Sequence, residues 1–490
     1  MEQEKIIAYV PASLPNLEDF SNITENPLLD KIARDRIRLI FHLLYASRSQ
    51  TSRNSKKRNS QKFIDGYVSI SSALLKQLVT SEYSKYLNFM EEKGFIERYR
   101  DSLTDKVIYS AYGHVCQFIR IHPKYLVDIV NDRHYRKEFI TSKKVIKAIE
   151  RQRIKVKERQ ENANWNSKVT QAHKKIIDCS TKIRFRSSCF ADLNKKVNKS
   201  RSEFRKVLYR DYMLLIEQIN DGLYDHGFTI CDYGNRLHYF LTNMASFLRK
   251  HIYFLDNENK LLANIDIKNC QPYIFSAILV NPNIIKTFAP EFNSLIPMLE
   301  RFSKFVDVKA FHLDCHQGVI YDYFVDTICN NMDNGKPIDN IRARNISKKK
   351  LIGFLYSNPN GQHGNDSNKN YSKKMFKAEF KRLYPNVFDA ACFIKSNSIE
   401  SIQSFYYKDV KAVGPKTNLP CLMQRIESRI LLGIVAPRLI EAGIQDFVTI
   451  HDSFVVLSDD QVTASEIVIN SFSSLGIRPP NLKCDLLSCE

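Results

Sequence analysis

Near its C-terminal end the chain reads VTIHDSFVVLSDD: an apolar stretch from Val448 to Ile450, the triplet His451-Asp452-Ser453, then a second apolar stretch from Phe454 to Leu457. Two short apolar runs with a few polar residues between them predict paired, buried β-strands with a carboxylate at the tip. A desolvated charge in that position needs a counter-ion. A second element of this kind lies far upstream in LLANIDIKNCQPYIF, where Asp266 interrupts an apolar strand ahead of a Pro-marked turn. Two lone aspartates, each on its own strand, suit two Mg²⁺ ions (or Mn²⁺) about 4 Å apart, which activate one oxygen and stabilise another in an in-line displacement. Asp266 and Asp452 are the expected metal ligands and catalytic residues.

The rest of the composition narrows the partners. The formal charge is +20, from 73 basic against 53 acidic residues, an excess that suits a protein tracking a polyanion, most simply nucleic acid. A basic surface kept for solubility is the plainer alternative. No run of eighteen apolar residues exists, which predicts no membrane span, and MEQEKIIAYVPASLPNLEDF lacks the basic-then-apolar order of a secretory signal. The 11 cysteines form no CxxC pair, so reduced thiols and a cytoplasmic location are expected. His312, Cys315 and His316 cluster, but no second ligand pair has the spacing of a zinc site.

Residues 28–46 carry helical apolar spacing, and the polar, basic SRSQTSRNSKKRNSQK after them reads as a loop. GYVSISSALLKQLV predicts a strand, a cap at Ser71 or Ser72 and a helix; SEYSKYLNFMEEKGFI predicts a second helix closing at Gly94. FIERYRDS and KVIYSAYG read as two β segments around a turn at Leu103 to Asp105. This is the winged helix-turn-helix order, with a recognition helix from about Glu82 to Lys93, although such a domain could equally contact protein. From Ser142 to about Asn220 the chain is basic and helical, as in a solvated linker or in helices that grip a duplex backbone.

In ARNISKKKLIGFLYSNPNG, Arg344, Lys348, Ile352 and Tyr356 recur every four residues. On a helix they share one face about 18 Å long, which would set two cations on a triphosphate and a ring at the base and sugar.

In the order of these motifs, residues 225–490 resemble family A DNA polymerases (DNA polymerase I-like) and the phage-type single-subunit RNA polymerases. Asp266 matches the first catalytic aspartate. His451-Asp452-Ser453 matches the second motif of the RNA enzymes, where the DNA enzymes usually carry Glu at the place of Ser453; His451 is expected to support the hairpin. In CDYGNRLHYF, Asp232 and Arg236 match the DxxGR pattern, with Asn235 in place of its Gly, and the resemblance implies that Arg236 holds the primer–template. Gln271 stands where the DNA enzymes carry a Glu that excludes a 2′-hydroxyl; it keeps the bulk without the charge, tilts the reading toward deoxynucleotides, and is expected to hydrogen-bond Tyr356. Arg344, Lys348 and Tyr356 repeat the order and spacing of the nucleotide-binding helix, with Ser357 where relatives have Gly. Gln424 falls near a glutamine that contacts the primer–template minor groove, and GVIYDYFVDTI resembles the fingers helix.

The resemblance implies an α/β (α+β) right-hand polymerase, and the element order upstream adds a winged-helix domain before it. Its expected parts are 1–140, a winged-helix-like DNA-binding or partner domain; 141–225, a basic helical thumb; and 226–490, palm and fingers, with palm at 226–285 and 445–490 and fingers at 286–444. The implied activity is extension of a DNA primer–template with nucleoside triphosphates, as a DNA polymerase without proofreading. An RNA polymerase or primase-like enzyme of the same fold, and a non-catalytic DNA-binding replication or regulatory protein, remain as alternatives.

Overall fold

Helices dominate, with short antiparallel strands gathered into small sheets. The computed structural model describes residues 5–20, 23–24, 27–52, 65–101, 103–107, 116–126, 133–162, 169–224, 227–331, 339–357, 367–397 and 418–488. The chain divides into two units: Met1–Ser167 with Ile183–Asp225, and Lys168–Lys182 with His226–Glu490.

In the first unit, β1 (Ile6–Pro11) runs antiparallel to a later strand at Tyr135–Ile140. Between them lie α1 (Pro27–Ser52), β2 (Val68–Ser71), α2 (Ser72–Leu78), α3 (Tyr83–Glu92), β3 (Ile96–Arg98) and β4 (Cys116–Ile121); the Tyr135–Ile140 strand is β5. The sheet order is β2-β4-β3. Alternating or helical apolar positions put Ile37, Phe41, Leu75, Leu87, Phe95 and Ile119 into one core, whose burial drives the assembly. Gly94, at φ +65°, turns the chain out of α3.

Three details differ from the sequence reading. The first helix continues through Ser52, because SRSQTS contains no Gly or Pro to stop it. Ser71 occupies the N-cap position of α2, but its side chain makes no capping bond. The described strand partner of β3 is Cys116–Ile121 rather than 106–113; Val107 forms one isolated bridge with Arg100, and residues 108–115 lie outside the described set.

The basic stretch is likewise not one body. α4 (Lys143–Asn162) and α5 (Glu203–Asn220) belong to the first unit, whereas the helix Gln171–Thr181 belongs to the second. α5 is no solvated linker: Met213 to Ile216 and Ile219 are buried, and its Glu217 carboxylate pairs with Arg133 and, at 2.8 Å, with Lys137.

In the second unit, β6 (Thr229–Ile230) and β7 (Leu237–His238) form a small hairpin. Then follow β8 (Leu262–Ile267), α6 (Cys270–Val280), α7 (Asn340–Tyr356), α8 (Asn418–Ile430), β9 (Phe447–Ile450), β10 (Ser453–Leu457) and β11 (Leu482–Leu487). The antiparallel sheet has the order β9-β10-β8-β11. α8 runs through one π turn, Leu431–Val435, into Ala436–Glu441; Pro437 has no N–H for the carbonyl four residues back, which displaces the ladder there. GVIYDYFVDTI is not a single helix: Gly318, at φ +82°, ends Val306–Gln317, and a 3₁₀ turn at Asp322–Phe324 precedes the helix Val325–Asn331. No helix among the described residues is long and apolar enough to cross a membrane.

Candidate active site

The two aspartates come together where the β9–β10 hairpin loop adjoins the end of the central strand β8. β9 and β10 pair through Ile450 opposite Ser453, so His451-Asp452 is a two-residue hairpin loop. Within this loop only His451 has positive φ, +57°, the pattern of a type II′ turn whose first position is ordinarily glycine. A histidine held there is strained, and its neighbours must hold it. Asp266 pairs directly with Ser453, and the Ile267 N–H donates to the Asp452 carbonyl at 3.3 Å. The two acids are thus neighbours across the ladder despite their distance in sequence. Ser453 turns inward and donates its hydroxyl to the Ile450 carbonyl at 3.1 Å, which closes the hairpin.

Burial, and then the Asp452 charge, push the Asp266 carboxyl up to about 6; burial also raises Asp452. Lys348, exposed on α7, draws both back toward ionisation. Arg249 also faces the pair. Burial holds its guanidinium below the ordinary arginine value while Asp452 and Asp266 oppose that shift, and its buried Nε has no hydrogen-bond partner. His451 is pushed down to about 4, chiefly by burial and then by Arg236, His238 and Arg249. It is a neutral support at pH 7, with its ring 5.9 Å from that of His238.

Two largely buried carboxylates on neighbouring positions of the ladder, both held above their ordinary range, form an all-oxygen donor pair whose repulsion a divalent cation relieves. Mg²⁺ is ordinarily held by one or two carboxylates together with water and substrate phosphates, and the donor set fits that chemistry. Among the described residues no group of three or more His, Cys, Asp or Glu side chains is assembled to hold a metal. His312 instead shares a 2.9 Å hydrogen bond with Ser276.

Beside the aspartates lies a chain of polar contacts. Tyr356, at the end of α7, donates to Gln271 Oε1 at 2.8 Å, the bond expected from the sequence. Gln424 Nε2 donates to the Tyr356 hydroxyl at 3.2 Å. Gln271 Nε2 donates to Glu427. Arg236 gives Glu427 two further bonds, at 2.9 and 2.7 Å. Arg236, expected to reach a primer, therefore already has a carboxylate partner. Asn235 has φ +53°; asparagine tolerates the left-handed region better than most residues, which explains how it serves where the DxxGR pattern has Gly. Gly234 is required for another reason. A Cβ there would stand 2.8 Å from Gln424 Cβ, so the hairpin and α8 approach only with glycine in that place.

On α7, Asp339 caps the helix by accepting from Arg342 N at 2.7 Å. Arg344 is engaged by Asp322 at 2.6 Å and by the Gly318 carbonyl at 2.8 Å. That pair is half exposed on both sides, so it is weak and exchangeable. Ser357 follows the helix in extended backbone, φ −85° and ψ 158°, which needs no glycine. The structure therefore gathers Asp266, Asp452 and Lys348, and links Gln424, Tyr356, Gln271, Glu427 and Arg236 in that order through hydrogen bonds. Sequence reasoning missed Glu427 and Arg249. A lone acid three residues after Gln424 in the apolar helix LPCLMQRIESRILL was the available signal for the first; Arg249 had none.

No protein-family model matches the chain, and no curated protein matches it. Among solved structures, the chain is similar to the POL domain of Pol1 from M. smegmatis in complex with DNA primer-template and dNTP, with 13% identity and a TM-score of 0.36. The match covers 60% of this chain and 54% of that one, so the chain spans about half the length of that structure.

Proposed function

We propose that this chain is a nucleotidyltransferase that extends a nucleic-acid primer with deoxynucleoside triphosphates. The observation that carries the reading is the juxtaposition of Asp266, on the central strand β8, and Asp452, in the adjoining β9–β10 hairpin loop, faced by Lys348. In the reaction a primer 3′-hydroxyl forms a bond to the α-phosphate, the bond to the β-phosphate breaks, and pyrophosphate leaves. Asp266 and Asp452 are the residues to hold two Mg²⁺ ions, which when bound supply nucleophile activation and charge stabilisation. Lys348 stands ready to neutralise phosphate charge, and Arg344 to exchange its exposed Asp322 pair for phosphate oxygens. Gln271 and Tyr356, fixed to each other, form a bulky floor on which a ribose 2′-hydroxyl meets steric resistance. His451, neutral and partly buried, holds the hairpin.

In this reading residues 226–285 and 445–490 act as palm and 286–444 as fingers. Basic helices within 141–225 track the duplex backbone, and 1–140 is a winged-helix domain for DNA or a partner. The helix order α1-α2-α3 and the sheet order β2-β4-β3 support the last assignment. The RNA-polymerase alternative leans on Ser453, but its hydroxyl is committed to Ile450, so the serine speaks to hairpin closure rather than to sugar choice.

A labelled primer–template incubated with Mg²⁺ and either dNTPs or NTPs tests the proposal. Extension with dNTPs in preference to NTPs is expected. Extension only with NTPs would favour the RNA-polymerase form, and no extension with either, alongside intact DNA binding, would favour a non-catalytic DNA-binding protein.

A further inference from the structure

Glu427 carries more of the site than its place in the sequence announces. It is 2% exposed and accepts from four donors: Arg236 Nε, Arg236 Nη2, Gln271 Nε2 and, at 3.6 Å, the Cys270 thiol. Gln271 lies between this carboxylate and the Tyr356 hydroxyl. An ionised carboxylate can only accept hydrogen bonds, whereas an amide has one donating and one accepting end. The Gln271 NH₂ must therefore face Glu427, and its oxygen must face Tyr356. Tyr356 in turn donates to that oxygen and accepts from Gln424, so every polar end in the chain of contacts has one allowed direction.

We propose that Glu427 is a positioning residue that sets the orientation of the Gln271–Tyr356 pair, and so the sugar choice, and that it links this pair to Arg236. This rests on the polymerase reading of the site. The four elements involved are the β6–β7 hairpin, α6, α7 and α8, and the Glu427 carboxylate is bonded to both Arg236 and Gln271. Without its charge, Gln271 is free to turn end for end, and Tyr356 loses a fixed acceptor. The pair then loosens where the 2′ position is judged, while none of the hydrogen bonds that are lost involves Asp266, Asp452 or Lys348.

The test is a four-member cycle: wild type, Glu427→Gln, Gln271→Glu, and the double variant with both exchanges. Glu427→Gln keeps size but removes the acceptor-only partner. Gln271→Glu sets two carboxylates against each other, and like charges in contact disfavour ionisation of both. The double variant restores one carboxylate and one amide with their places exchanged. The carboxylate now at position 271 accepts from both Tyr356 and the amide now at position 427, whose oxygen accepts from Arg236. Single-nucleotide incorporation is measured with dNTP and NTP on one primer–template, and each variant is also taken through thermal unfolding. The expected result is that each single variant lowers the ratio of dNTP to NTP kcat/KM by about tenfold, and that the double variant recovers most of it, the signature of two coupled neighbours. A merely structural role would lower melting temperature and overall rate without moving the ratio. An active wild type whose ratio is unchanged in Glu427→Gln, or a double variant no better than the sum of the singles, overturns the inference alone. A folded wild type that incorporates neither nucleotide overturns the polymerase reading, and the inference with it.

Discussion

Replacing Arg236 by Met asks how much the buried Glu427 depends on its counter-ion. Glu427 is 2% exposed and draws two of its four hydrogen bonds from this guanidinium. Removing one partner of a buried pair leaves an uncompensated charge, and the expected loss is about 3–5 kcal/mol. The pH dependence has a definite sign. Burial raises the Glu427 carboxyl and Arg236 opposes that shift; without Arg236 it rises further. An acid whose folded value lies above the ordinary glutamate value of about 4.3 contributes stability below that value and loses it as pH climbs through the folded value. Arg236→Met is therefore most damaged at pH 8 and progressively relieved toward pH 5, as Glu427 takes up a proton. Adding Glu427→Gln removes the orphan charge and restores most of the stability at pH 8. Hydrogen exchange read on peptides spanning Asn418–Ile430 reports the local free energy. A loss under about 1 kcal/mol at pH 8, with no trend in pH, would refute the argument that Arg236 neutralises Glu427 in a dry site.

Other perturbations probe the remaining links. With divalent ions removed, Asp452→Asn relieves the repulsion that helps hold Asp266 up to about 6, and after solvent screening it should stabilise the protein by about 1 kcal/mol. In the wild type the same raised Asp266 makes ion-free stability fall between about pH 4 and pH 7, and Mg²⁺ should flatten that slope in thermal melts. Ser453→Ala removes the bond to Ile450 and should cost about 1 kcal/mol while leaving the dNTP-to-NTP ratio unchanged. Binding of primer–template DNA should weaken steeply with salt, each neutralised phosphate adding about 0.9 to the log–log slope; a flat plot would remove the basic helices from the interface.

What the sequence revealed and what it hid follow from the range of the interactions concerned. Asp266 and Asp452 were legible because each breaks a short apolar run beside turn residues, a local pattern. The Gln271–Tyr356 bond was legible because the family resemblance implied that both side chains face one nucleotide. Glu427 was not, since an acid within an apolar helix looks like any buried charge until Arg236 and Gln271, from other elements, arrive on it. The fate of Arg236 was hidden for the same reason. The buried face of α5 was hidden because its Lys and Arg residues dominate the composition, which left a solvated linker open as an alternative, while Leu214, Ile216 and Ile219 pack inward. The end of α1 was misplaced because a polar, basic stretch without Gly or Pro is as compatible with helix as with loop.

In the proposed function Asp266 and Asp452 together carry nucleotidyl transfer. The most direct measurement follows pyrophosphate release and primer extension in one reaction, for wild type, Asp266→Asn and Asp452→Asn, with primer–template binding measured in parallel. The expected outcome is one pyrophosphate per nucleotide added by the wild type, loss of both signals in either variant by at least about a thousandfold, and DNA affinity within about twofold of the wild type in both variants. Extension that survives in either variant at a rate comparable to wild type would contradict it.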